Sequence, residues 1–151
     1  MTPTRFRVTA TPTRVAGRGR ARTRLESVLL GLEALVSVSG LAGGAYLMAR
    51  PTTAMPMSLL EGTGFTSWRL PGAALFALVG VAPGLVLATA LARLRVARIG
   101  HLLVGAGLVA WIAVEMIWVV VTLPLQLTYA AIGVVITVLG LALIRQGAPH
   151  G

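Results

Sequence analysis

The sequence contains no cysteine, no lysine, no asparagine and no aspartate. Without cysteine there is no disulfide, no thiolate nucleophile, no Cys-ligated zinc and no iron–sulfur cluster. The same absence excludes the four-helix membrane thiol oxidoreductases, which this length would otherwise suit. Without aspartate no Ser/His/Asp set can be assembled. The two histidines, His101 and His150, are too far apart in the chain to suggest a metal site. Gly105-Ala-Gly107 lies inside an apolar run with no phosphate-binding context around it. No paired acid and base converge with a nucleophile, so the expectation is a protein that is not an enzyme and carries no cofactor.

What remains is apolar residues and arginine. The 151 residues are 56% hydrophobic and 11% charged, with a mean hydropathy of +0.87. A soluble domain of this length would lack the polar groups its surface needs to meet water. The net charge of +9 comes entirely from arginine, and the wealth of Ala, Gly, Val, Leu and Arg looks like a high-GC bacterial genome, such as that of an actinobacterium. A pI near 11.9 would also suit a nucleic-acid binder. The arginines are better explained by membrane topology, and no nucleic-acid partner is expected.

Hydropathy divides the chain into four spans at about 25–49, 70–92, 99–121 and 125–144. The expected fold is all-α, an antiparallel four-helix transmembrane bundle occupying 25–145. It is preceded by an arginine-rich tail over 1–24 and followed by a short tail over 146–151. The first tail holds seven arginines and no acid, too polar to fold alone, and suits contact with anionic lipid headgroups. The Glu within the first apolar run, and the length of that run, argue for a retained span rather than a cleaved signal peptide. Seven arginines precede span one, three lie between spans two and three, and one follows span four, eleven in all. The opposite side has only Arg50 and Arg69. That bias places both termini in the cytoplasm and the bundle in the cytoplasmic membrane.

Each span has a face of small or polar residues. In span one Glu26, Leu30, Glu33, Ser37, Gly40 and Gly44 share a side, and Gly40 and Gly44 form a GxxxG pair that admits a neighbouring backbone. In span two Ala73, Ala77, Gly80, Gly84, Ala88 and Ala92 make a ridge with little side chain, and Pro83 predicts a kink. In span three His101, Val104, Leu108, Trp111, Glu115 and Trp118 fall together with Thr122 just beyond, and span four offers Gln126, Ala130, Gly133, Thr137 and Gly140. The longest connection, 50–69, has a segment from Pro56 to Glu61 suited to one or two interfacial turns, with Phe65 and Trp68 as headgroup anchors.

Glu33 and Glu115 are the candidate sites, since an acid at membrane depth needs a partner or a neutral form. At 1.5 Å per residue Glu33 lies about 12 Å, and Glu115 about 24 Å, from the cytoplasmic ends of their spans. The two therefore do not share a site. Glu33 is expected to be protonated or bonded to Ser37. Glu115 is expected to bond Arg69, Arg50 or Tyr129 in an outward-facing polar cluster, most simply a clamp between the loop and the bundle.

The stretch 29–143 resembles a family of small four-span bacterial membrane proteins, common in actinobacteria, with no established activity. The likeness is carried by Gly40-Leu-Ala-Gly-Gly44, Ser58-Leu-Leu-Glu-Gly-Thr-Gly-Phe65, Leu70-Pro-Gly72 and Trp111-Ile-Ala-Val-Glu115. Thr63-Gly64 stands where that family would have Ser-Pro. The resemblance implies an architecture rather than an activity. The functional expectation is a structural, accessory or interaction protein whose partners are the bilayer, another membrane protein or a second copy. The alternative is a small proton-coupled transporter using Glu33 or Glu115. Four spans with a Glu in the first look like the small multidrug-resistance exporters, but those work as antiparallel dimers with weak orientation bias, unlike the arginine distribution here.

Overall fold

The computed structural model describes residues 23–118 and 124–146. The arginine tail up to residue 22, the last residues of the third span, the turn before Pro124 and the tail with His150 lie outside the described residues; Arg24, expected in the tail, opens α1. Four long helices make the protein: α1 Arg24–Ala49, α2 Arg69–Leu91, α3 Ala97–Trp118 and α4 Pro124–Gln146. All four are long and apolar enough to cross a membrane. Their outer faces carry bare apolar side chains, with Leu103 66% and Ile117 77% exposed. Many such residues together would be a liability in water and are ordinary against lipid. The architecture is that of a multi-pass membrane protein, a four-helix bundle.

The helix ends follow local chemistry. At the start of α1, Thr23 and Glu26 form a capping box: the Glu26 amide donates to Thr23 Oγ1 at 3.2 Å, and the Thr23 amide donates to Glu26 Oε2 at 3.0 Å. Glu26 is thus a cap rather than a member of the buried face. Pro51 prevents α1 from continuing. In α2, Pro71 occupies the first turn, and the stretch Leu75–Val81 winds as a π-helix just before Pro83. The Pro83 ring would collide with the Val79 carbonyl in an α-helix, and a widened turn relieves that collision. The expected kink takes this form. At the same place Ser37 Oγ of α1 donates to the Gly80 carbonyl at 2.8 Å, a bond from a neighbouring helix where the ladder changes register.

The helices stand in a square, each packed on its neighbours in sequence, with α1 also against α4. Two seams are unusually tight. Between α1 and α2, a Cβ on Gly40 would lie 2.5 Å from the Val79 carbonyl carbon, and one on Gly44 would lie 2.6 Å from the Phe76 amide nitrogen. Gly80 and Gly84 line the same seam against Leu41 and Ser37. Between α3 and α4, a Cβ on Gly105 would reach the Thr137 nitrogen at 2.5 Å. The chain is therefore two interlocked helical hairpins, α1–α2 and α3–α4, closed against each other around Leu29, Val36, Val79, Val104, Leu108, Ile112 and Ile136.

The connection 50–69 is folded. Met57–Leu60 makes a short 3-10 turn, and the Trp68 amide donates to the Pro51 carbonyl at 2.8 Å, joining the two ends of the loop. Trp68 is not a headgroup anchor. It is buried with Leu47 and Leu60, with Met55, Met57 and Phe65 around them, in a small core that caps one end of the bundle. Gly64 adopts φ +76°, which proline's ring forbids, so Thr63-Gly64 and Ser-Pro cannot share this backbone. Thr63 Oγ1 donates to the Leu60 carbonyl and accepts from the Phe65 amide, fixing the turn.

Candidate functional site

Two titratable side chains meet at the centre of the square. Glu33 of α1 and His101 of α3 come from helices at opposite corners, and Nδ1 of His101 lies 2.7 Å from Oε1 of Glu33. Glu33 is fully buried and His101 nearly so. One turn away along the two helices lie Leu29, Val36 and Val104, all in the apolar core. An isolated carboxylate here would cost several kcal/mol in lost hydration, roughly the scale for a buried ion after relaxation. The imidazole meets the carboxyl directly, with one hydrogen on the Nδ1–Oε1 line. The other oxygen, Oε2, is buried and has no hydrogen-bond partner among the described residues.

Of the two states expected for Glu33, the bond to Ser37 is not formed. Ser37, its neighbour one turn on, donates to Gly80 instead, and the imidazole takes the carboxyl. A serine on a helix finds a backbone carbonyl of a close neighbour easily, where a carboxyl needs a donor with charge or acidity. His101 was placed on the inner face of span three but not joined to Glu33. Its depth was the available signal: α1 and α3 run the same way, with Glu33 nine residues and His101 four residues from their starts, about 13 and 6 Å.

The expected outer cluster also takes a different form. Glu115 interacts with the amide of Gln126 on α4 and the indole of Trp111 on its own helix. Trp111 Nε1 lies outside the geometry of a full hydrogen bond, and Gln126 is the contact that comes from another helix. Arg50 and Arg69 form no ion pair with Glu115; the only ion pair among the described residues is that of Glu33 with His101. Arg50 lies over the Tyr46 ring at 5.6 Å, Arg69 is exposed at the start of α2, and Tyr129 packs against the apolar core. A buried amide costs far less to desolvate than a guanidinium, so the carboxyl is met by Gln126 while the arginines stay outside.

Two hollows flank this interior. One, of about 610 Å³, lies between α2 and α3 and is apolar, bordered by Val36, Pro83, Val86, Leu103 and Trp111. The other, of about 680 Å³, opens at the end where α1 begins and α2 turns into α3. Glu26, Arg93, Arg95, Arg98, His101 and Gln146 line it, so the central pair is reached from this end through its imidazole. Among the described residues no three His, Cys, Asp or Glu side chains gather as a metal site.

No protein-family model, curated protein or solved structure matches the chain.

Proposed function

We propose that this is a multi-pass protein of the cytoplasmic membrane, with both termini in the cytoplasm, that serves as a structural or accessory subunit for another membrane protein or a second copy of itself. The orientation rests on eleven arginines against two on the two sides of the spans. The observation that carries the role is that the interior polar groups bond to one another across helices. Glu33 joins His101, Ser37 joins Gly80, and Glu115 joins Gln126. Each bond fastens helices together. The tail arginines supply contact with anionic headgroups. Purification from the native membrane in mild detergent tests the proposed role. A partner at fixed stoichiometry, or a defined homo-oligomer, is the expected result; a lone monomer active in transport overturns it.

A second reading, proton-coupled transport, is favoured by one feature: His101 lines the polar hollow and is bonded to Glu33. A protonatable pair in contact with an aqueous vestibule can take up a proton from that side. Vesicles containing the protein and a pH-sensitive dye would then show proton movement that Glu33→Gln abolishes. Equal dye responses in empty and loaded vesicles would exclude it.

A further inference from the structure

The hollow beside His101 has more cationic character than the fastening of helices requires. Arg93, Arg95 and Arg98 all border it, against the single carboxylate of Glu26. That carboxylate is already engaged by the Thr23 amide in the capping box. None of the three guanidiniums has a carboxylate within ion-pair distance among the described residues. Three unpaired arginines around one concavity make a place of positive potential, and a guanidinium fork matches the oxygens of a phosphate group two at a time. The turn that presents them is tightly held. The Arg93 amide donates to the Ala90 carbonyl and the Leu94 amide to the Thr89 carbonyl, and Arg93 takes φ 57°, a left-handed conformation normally left to glycine.

The walls of the hollow complete the description. Leu29, Leu30, Leu94 and Leu143 line it along with the arginines, so the cavity offers both apolar and polar wall. His101, whose Nδ1 is held by Glu33, stands one turn further into α3 than Arg98, with Nε2 as the remaining ring atom able to bond a ligand. We infer that this hollow is a binding site for a phosphate group, held by Arg93, Arg95 and Arg98. The phosphate comes either from a lipid headgroup, whose acyl chain would follow the leucines, or from a soluble phosphate.

The test uses the full-length protein in a neutral detergent, with its tail intact in every variant. Wild type is titrated with a short-chain phosphatidylglycerol, with the matching phosphatidylcholine and with inorganic phosphate, and binding is read by tryptophan fluorescence and by the shift in melting temperature. Saturable binding of phosphatidylglycerol or of inorganic phosphate is expected. Competition between the two identifies the phosphate itself as the recognised group, whereas binding of phosphatidylglycerol alone identifies a lipid site. Arg95→Gln with Arg98→Gln should weaken binding about tenfold or more, the equivalent of ~1.4 kcal/mol. Arg50→Gln with Arg69→Gln, at the other end, should leave it unchanged. Arg93→Gly is the decisive variant, because glycine suits the left-handed backbone: the melting temperature without ligand should hold or rise while affinity falls. Phosphatidylcholine should bind more weakly, because its choline carries a cation that the arginines repel. Affinity within twofold of wild type in the Arg93→Gly and Arg95/Arg98 variants would overturn the site, as would failure of both phosphatidylglycerol and inorganic phosphate to bind saturably.

Discussion

Glu33 and His101 bond at 2.7 Å from helices at opposite corners of the bundle, and so join two hairpins that are each sealed separately by glycine. Removing one member of a buried pair leaves the other stranded, which costs about 3–5 kcal/mol where the survivor keeps its charge. Glu33→Ala and His101→Ala should each lower stability on that scale. Glu33→Leu combined with His101→Leu should cost less than the two single leucine changes added together, with a coupling of about 1–3 kcal/mol. Unfolding of the detergent-solubilised protein, followed by tryptophan fluorescence, measures all four corners of the cycle. Additive losses would mean that the bond contributes nothing of its own.

The glycine seams predict a sharp contrast between positions of the same residue type. A methyl on Gly40 or Gly44 would meet backbone atoms of α2 at 2.5–2.6 Å, and backbone cannot swing aside. Gly40→Ala and Gly44→Ala should therefore destabilise by about 1–3 kcal/mol, as overpacking does. Gly31 and Gly107 also lie within helices, yet a Cβ there meets nothing within 4 Å. Gly31→Ala and Gly107→Ala should be neutral or stabilising by up to about 1 kcal/mol, from helix propensity alone. Melting temperatures of the four variants check the ordering.

These two cases also mark what can be read from the chain without its fold. The four helices and the seam of Gly40, Gly44, Gly80 and Gly84 follow from apolar length and from the spacing of residues without side chains, both local properties. The Glu33–His101 bond does not, because periodicity assigns a residue to a face of its helix and says nothing of which corner of the square that helix takes. Glu115 shows a second limit. Charge complementarity suggested Arg50 or Arg69, but the cost of burying a guanidinium decided for Gln126. Trp68 shows a third: an aromatic residue at a membrane boundary is read as an anchor, and only the bond from its amide to Pro51 reveals that the loop folds back over it.

The cap formed by that loop should loosen as a unit. Trp68→Ala removes the largest side chain of its small core, a change that costs about 3–5 kcal/mol when the site cannot collapse. The effect should be mainly local, because the cap cluster and the main apolar core have different buried residues and share Leu75 at their border. Limited proteolysis is the suitable measurement: cleavage within 51–67 should accelerate, while the helices stay protected. Gly64→Pro should act in the same way, since its backbone stands at φ +76°. Unchanged cleavage in both variants would show that the loop is held from elsewhere.

The proposed orientation rests on the arginines at the two ends of the bundle. Arg93, Arg95 and Arg98 stand at the α2–α3 turn and Arg145 in the last turn of α4, whereas Arg50 and Arg69 flank the loop at the other end. Short loops rich in arginine are retained on the cytoplasmic side, and the seven arginines of residues 1–24 add to the same bias. A reporter fused after Arg145 should therefore be cytoplasmic, and one inserted between Gly62 and Gly64 should face outward. Neutralising Arg93, Arg95 and Arg98 together should leave that topology unchanged, because the tail keeps its seven charges; removing the tail charges as well should produce a mixed population. A phosphatase reporter active at both positions in the unaltered protein would contradict an orientation fixed by arginine.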